Sequence, residues 1–148
     1  MNKALSLAVA ATLSCASLNS EAQTMIGKTT DVAAIANGDR MNAETLWAMG
    51  RIGGAAASPD GNTIVYQVGY YSVKQNKSHQ MLYTISADGK KQCALTTTAA
   101  SETDATWIDG GKRIAFLTGG QLWSMNADGT DRRQLTKSEI DIEGYIFS

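Results

Sequence analysis

Proline, cysteine and histidine are nearly missing from this sequence, which holds one, two and one of them in 148 residues. A single proline leaves no rigid polyproline spacer. One histidine and two cysteines are too few for a metal centre built from imidazole and thiolate, so no metal and no cofactor is expected. Neither sign of charge dominates: 13 Lys and Arg stand against 14 Asp and Glu, for a net charge of −1. No segment gathers basic residues, which excludes the phosphate-neutralising surface of a nucleic-acid partner. Phosphate loops of the G-x-x-x-x-G-K-[ST] type, H-E-x-x-H zinc helices, C-x-x-C pairs and G-x-S-x-G elbows are all absent. What remains is globular composition, 43% apolar and 18% charged, with 14 glycines that call for many turns.

No apolar run is long enough to cross a bilayer. Ala4 to Leu13 is uncharged and apolar, but ten helical residues span roughly 15 Å of a ~30 Å hydrocarbon core. Lys3 before that run and Ser20-Glu21-Ala22 after it form a secretory signal over residues 1–22, cleaved after Ala22. The chain is then exported, periplasmic or secreted. Lipid attachment at Cys15 is the rival, although Thr12 stands where a lipobox prefers Leu. Cleavage would remove Cys15 and leave Cys93 without an intrachain partner, in the apolar setting Gln92-Cys93-Ala94-Leu95 of a small buried hydrophobe. His79, between Ser78 and Gln80, reads as a solvated residue of a polar loop tip.

Residues 23–52 read as a lead-in followed by a short helix. Asn42 caps it, Glu44 sits in its first turn where the helix dipole favours an anion, and Leu46, Trp47 and Met49 supply apolar bulk. Gly50 and the Gly53-Gly54 pair end it. A helix this short needs a partner surface, and Trp47 is the side chain to dock it.

From there the chain repeats. Met81–Thr96 laid over Gln121–Thr136, at an offset of 40, gives identity at Leu82/Leu122, Ala87/Ala127, Asp88/Asp128, Gly89/Gly129, Leu95/Leu135 and Thr96/Thr136. Ala57–Tyr66 matches Trp107–Phe116 at an offset of 50, and the difference is a ten-residue insertion near Tyr70–Lys77 in the first copy. Each copy reads as four short strands, near 54–58, 63–71, 80–86 and 91–96, then 104–108, 112–117, 121–126 and 132–136. Asp-Gly turns join the last two strands of each copy in antiparallel hairpins. Met81, Tyr83 and Ile85 face one side, as do Trp123 and Met125; Leu82 and Leu122 face the other. Sheets apolar on both faces and repeating every ~40 residues are blades of a β-propeller. The reading is therefore all-β: two four-stranded antiparallel blades of an incomplete propeller over 53–148. Blade 1 takes about 53–97, blade 2 about 103–137, and a third begins about 143–148. Such a pair of blades leaves apolar sheet surface bare at each end.

Little in the repeats suggests chemistry. Of Asp88, Asp104, Asp109, Asp128 and Asp131 most fall in turns, where Asp serves backbone geometry rather than calcium. Tyr66, Tyr83, Trp107, Phe116 and Trp123 occupy equivalent strand positions and belong to the core.

Ser58-Pro59-Asp60-Gly61-Asn62-Thr63-Ile64-Val65-Tyr66 resembles the "SPDGK-x-I-A-[FY]" strand of TolB-type propeller repeats, and Gln121–Gly129 with Arg133–Thr136 is similar to that repeat's second half. Trp107-Ile108-Asp109-Gly110-Gly111 departs from it by lacking Ser-Pro. The opening Thr45–Ile52, followed by Ala57–Gly61 and the Tyr70-Tyr71…Asn76-Lys77 insertion, resembles prolyl oligopeptidase-family serine peptidases, most closely the bacterial acylaminoacyl- and dipeptidyl-peptidase branch. That resemblance implies an α/β-hydrolase domain beyond this chain, with a Ser–Asp–His triad acting on short peptides that the propeller admits. None of its catalytic residues maps onto a position here, so no catalytic, substrate-binding, cofactor or metal residue is assigned. The alternative reading is a non-enzymatic TolB-type periplasmic propeller that binds protein partners.

Overall fold

The computed structural model describes residues 41–73 and 75–147. The signal peptide and cleavage site expected from the sequence, Cys15 and the lead-in up to Arg40 lie outside them. A single helical turn and a half, α1 (Ala43–Ala48), precedes eight strands. These are β1 (Arg51–Ala57), β2 (Thr63–Ser72), β3 (Lys77–Ser86), β4 (Gln92–Ala94), β5 (Thr103–Ile108), β6 (Arg113–Thr118), β7 (Gln121–Asn126) and β8 (Arg133–Gln134). They form two four-stranded antiparallel sheets in the orders β1-β2-β3-β4 and β5-β6-β7-β8.

The two sheets repeat each other in register. Ala57 pairs with Ile64 as Trp107 pairs with Ile114, and Tyr83 with Ala94 as Trp123 with Gln134. The loops repeat too. The Leu82 amide donates to Thr96 Oγ1 at 3.0 Å and the Leu122 amide to Thr136 Oγ1 at 2.9 Å. Where each sheet ends, Glu102 N donates to Gln80 O and Ile142 N to Gly120 O, again 40 positions apart. In each Asp-Gly turn the carboxylate accepts the amide two residues on and the glycine takes the left-handed conformation, φ 75° at Gly89 and 86° at Gly129.

Two differences from the sequence reading concern blade 1. Helix α1 ends at Ala48, before the glycines. Gly53 and Gly54 lie inside β1, where the register slips between Ile52 and Ala55. Blade 2 has the same irregularity between Thr103 and Thr106, with Asp104 at φ 56°. The glycines thus serve a bulge at the start of the first strand, not a helix end. The insertion is likewise no loop. It lengthens β2 and β3 to ten residues each, against six in β6 and β7, so that only a tight turn separates Ser72 from Lys77.

The core lies between the sheets. Val65, Leu82 and Leu95 of blade 1 meet Ile114, Phe116 and Met125 of blade 2, with Trp107 and Trp123 packed against them. Each fully buried side chain of that size contributes about 1.5–3 kcal/mol. Polar ties cross the same seam: Trp107 Nε1 donates to Ala56 O at 2.9 Å, and Asp104 N to Gln67 Oε1 at 3.1 Å. Strand alternation divides the faces as the sequence implied. Leu82 faces the seam and Leu122 the far side of blade 2, while Met81, Tyr83 and Ile85 face the far side of blade 1. Tyr66, Tyr83 and Phe116 are buried and the two tryptophans half-buried, which fits the core role expected of them.

The ends are not bare. On the far face of blade 2, Ile142 and Tyr145 pack over Ala115, Leu117 and Leu122. Tyr145 Oη donates to Ala115 O at 2.9 Å and also bonds Asp104 O. On the far face of blade 1, Met81, Val68, Tyr66 and Tyr83 are buried, the two rings stacked with centroids 5.7 Å apart. Tyrosine hydroxyls there find partners: Tyr70 with Tyr83 at 2.9 Å, and Gln92 donating to Tyr66. Burial pushes the Tyr83 phenol well above its ordinary pKa. These bonds satisfy the polar ends of the rings on an otherwise apolar face.

Candidate functional site

The antiparallel order brings the start of β1, the β2–β3 turn, the start of β5 and the β6–β7 turn to one rim of the two blades. Both unusual features of the molecule lie on the blade 1 part of that rim. One is a groove beside the lengthened hairpin; the other is a buried charged cluster at the blade seam.

Helix α1 lines the groove through Trp47. Asn42 Oδ1 accepts from Thr45 N at 2.7 Å and from Thr45 Oγ1 at 2.8 Å, the cap that the sequence calls for. The helix docks through its small residues, with Thr45 and Ala48 buried. Leu46 and Trp47 stay 44% and 40% exposed, so Trp47 does not plunge into the sheet. Its ring instead meets Tyr71 edge-on at 5.5 Å. The Arg51 guanidinium carbon lies 4.6 Å from both ring centroids. Trp47, Tyr71, Val73, Asn76, Lys77 and Ser78 line a groove of about 410 Å³ beside the β2–β3 hairpin. No acidic residue lines it among the described residues.

The second feature corrects the reading of His79 as a solvated loop residue. His79 lies within β3, pairs with Tyr70 and is 1% exposed. The segment after β4 folds back across it. Ser101 Oγ accepts from Gln80 N at 3.1 Å, and the Glu102 carboxylate is wholly buried. Glu102 Oε1 accepts from Thr98 Oγ1 at 2.5 Å and from Arg132 Nη2 at 3.1 Å, and Arg132 in turn lies 5.0 Å from the Phe116 ring. His79 Nε2 and Glu102 Oε2 have no hydrogen-bond partner. Burial lowers the His79 pKa, and the Glu102 charge opposes that shift. Blade 2 has Gly119 and Ile142 at the equivalent places, so this polar cluster belongs to the blade 1–2 seam alone.

Ser78 and His79 are consecutive residues of one strand, so their side chains leave opposite faces, Ser78 exposed and His79 buried. That geometry cannot make a nucleophile and its base. Cys93 also departs from expectation. It is half-buried on β4 rather than within the core. The aspartates serve backbone geometry: Asp104 sits at the β5 bulge with positive φ, Asp109 and Asp131 also have positive φ, and Asp131 bonds Arg113 and Arg133. Among the described residues no three His, Cys, Asp or Glu side chains gather around a common point. Glu102, Arg132 and Arg51 had no signal in the sequence except the aromatic neighbours of Arg51, because their partners come from distant segments.

No protein-family model matches the chain. It is 41% identical over 112 residues to a protein named dipeptidyl-peptidase 5 from Porphyromonas endodontalis, a match covering 73% of this chain and 16% of that one. It is 39% identical over 87 residues to the dipeptidyl-peptidase 5 of Porphyromonas gingivalis, covering 57% of this chain and 13% of the other. The chain therefore spans about one-sixth or less of the length of these relatives. Among solved structures, an acylaminoacyl peptidase in complex with a chloromethyl ketone superposes with a TM-score of 0.55 at 12% identity, over 66% of this chain and 16% of that one. A TolB from Agrobacterium tumefaciens gives 0.48 at 19% identity, over 59% of this chain and 34% of the other. The acylaminoacyl peptidase match shows a shared blade fold.

Proposed function

We propose that this chain, a propeller segment related to the dipeptidyl-peptidase branch of the prolyl oligopeptidase family, is the entrance of an exported serine peptidase acting on short peptides. The observation that carries this reading is the 41% identity to a dipeptidyl-peptidase 5 over 112 residues, most of this chain. On this reading a hydrolase domain supplies the nucleophilic serine, its histidine base and the orienting aspartate, together with the backbone donors of the oxyanion hole. The blades hold no part of that machinery. Their task is steric: a rigid stack of sheets over the site admits thin, flexible peptides and refuses folded chains. Export through residues 1–22 is part of the same proposal and suits an enzyme that feeds on peptides outside the cytoplasm.

The test is the gene beyond the codon for Ser148, and the activity of its whole product. Further ~40-residue repeats followed by G-x-S-x-G are expected, with release of dipeptides from chromogenic substrates and loss of that release when the elbow serine becomes alanine. Further blades with no elbow would overturn the peptidase and leave a TolB-type binder. N-terminal analysis of protein from an exporting host is expected to begin at Gln23; an intact Met1 in a cytoplasmic product would overturn export.

A further inference from the structure

We infer that the aromatic clamp around Arg51 is a carboxylate-binding site that takes the C-terminal carboxylate of a short peptide, whose body lies in the adjoining groove. This goes beyond the peptidase reading, because it concerns binding by the chain itself and needs no hydrolase domain. Arg51 is held in an unusual way. Trp47 and Tyr71 come from different elements, α1 and the lengthened β2, and the guanidinium carbon sits 4.6 Å from each ring. The two rings are 5.5 Å apart and 64° from parallel, so they hold the guanidinium in the corner between them by cation–π contact rather than between two faces. Among the described residues its N–H donors have neither a hydrogen bond nor an ion pair; the four ion pairs found involve Lys90, Arg113, Arg132 and Arg133. A guanidinium held in place by two rings with its N–H donors unpaired can take a carboxylate in bidentate geometry.

The surroundings select the ligand. The same two rings wall a groove of about 410 Å³, a volume within the range of small-molecule sites. Lys77 adds a second positive charge, and Asn76 and Ser78 offer the amide and hydroxyl groups that peptide bonds pair with. Trp47 and Val73, 40% and 67% exposed, offer apolar surface to a side chain. The lengthened hairpin that distinguishes blade 1 from blade 2 supplies Tyr71, Val73, Asn76, Lys77 and Ser78, while α1 and β1 supply Trp47 and Arg51.

Binding would be read by tryptophan emission and calorimetry on the 148-residue chain, with N-acetyl-Gly-Ala-Phe as probe. The free acid is expected to bind at least tenfold more tightly than its C-terminal amide, with an affinity that weakens as salt rises from about 0.1 to 0.5 M. Arg51→Gln is expected to abolish the preference for the acid, and Arg51→Lys to keep only part of it, since an ammonium lacks the fork. The acid–amide comparison on the unaltered protein decides the matter even where a variant fails to fold. Equal affinity for acid and amide, no binding at millimolar probe, or a full acid preference in a folded Arg51→Gln chain would overturn the assignment. So would equally tight binding of N-acetyl-Gly-Glu-Ala-amide, which would give the clamp to acidic side chains of a protein partner.

Discussion

His79 and Glu102 show how far a side chain's fate can depart from its local setting. Lys77, Ser78 and Gln80 surround His79 in sequence, yet the histidine is buried because Thr98–Glu102 closes over it. The linkage has a definite direction. Burial holds the folded-state pKa of His79 below its ordinary 6.5, so the unfolded chain takes up the proton first. Stability contributed by the neutral ring is complete above about pH 6.5 and is lost as the pH falls toward the lower folded value. The carboxylates with lowered pKa values (Asp60, Asp88, Asp128 and Asp131) titrate in a separate, more acidic window. The urea midpoint is therefore expected to drop between pH 7.5 and pH 5.5, and to drop less in His79→Leu. Parallel pH profiles for the two chains would refute this account of the cluster.

At the scale of elements, the two Asp-Gly hairpins look identical in sequence but differ in surroundings. Both glycines have positive φ, yet a Cβ at Gly89 would meet nothing within 4 Å. At Gly129 it would stand 2.8 Å from Leu95 O, backbone that cannot swing away. Alanine at 89 is expected to cost about 1 kcal/mol for the left-handed backbone alone. Alanine at 129 carries the same strain plus a clash between blades, for a total of about 2–4 kcal/mol. Denaturant unfolding of the two variants measures the difference, and equal losses would mean that the blade 2 turn does not press on blade 1. Turn type, strand pairing and repeat were legible from the Asp-Gly dipeptides and the alternation around them. That one turn abuts a neighbouring blade was not, since Leu95 lies 34 positions away.

At the scale of the whole molecule, cohesion comes from faces shared between successive sheets. The seam core joins blade 1 to blade 2, and the segment carrying Ile142 and Tyr145 does the same for the far side of blade 2. Tyr145 combines ring burial with hydrogen bonds to the carbonyls of Ala115 and Asp104, and burial pushes its phenol well above the ordinary pKa. Tyr145→Ala is expected to lower stability by about 2–4 kcal/mol. It should also raise the fluorescence of a bound hydrophobic dye as Leu117 and Leu122 are uncovered. Unchanged dye binding would show that the far face needs no such cover. The expectation of bare end faces failed: blade 2 is covered by its own following segment, and Tyr66, Val68, Met81 and Tyr83 are buried on the blade 1 face.

The sequence by itself determined everything that depends on short-range periodicity. Alternation along β3 and β7, Asp-Gly turns, the Asn42 cap and the 40-residue echo were enough for two antiparallel blades, and they carried the resemblance to the dipeptidyl-peptidase branch. Those features are local because backbone geometry and hydrogen-bonded turns are set by residues a few positions apart. Only the tertiary structure decided which polar groups were buried and which cation was clamped. His79 lies 23 positions from Glu102, Glu102 lies 30 from Arg132, and Arg51 lies 20 from Tyr71. Burial and charge pairing depend on what the folded chain brings together across such distances, and a polar side chain carries the same letter whether water or another strand surrounds it.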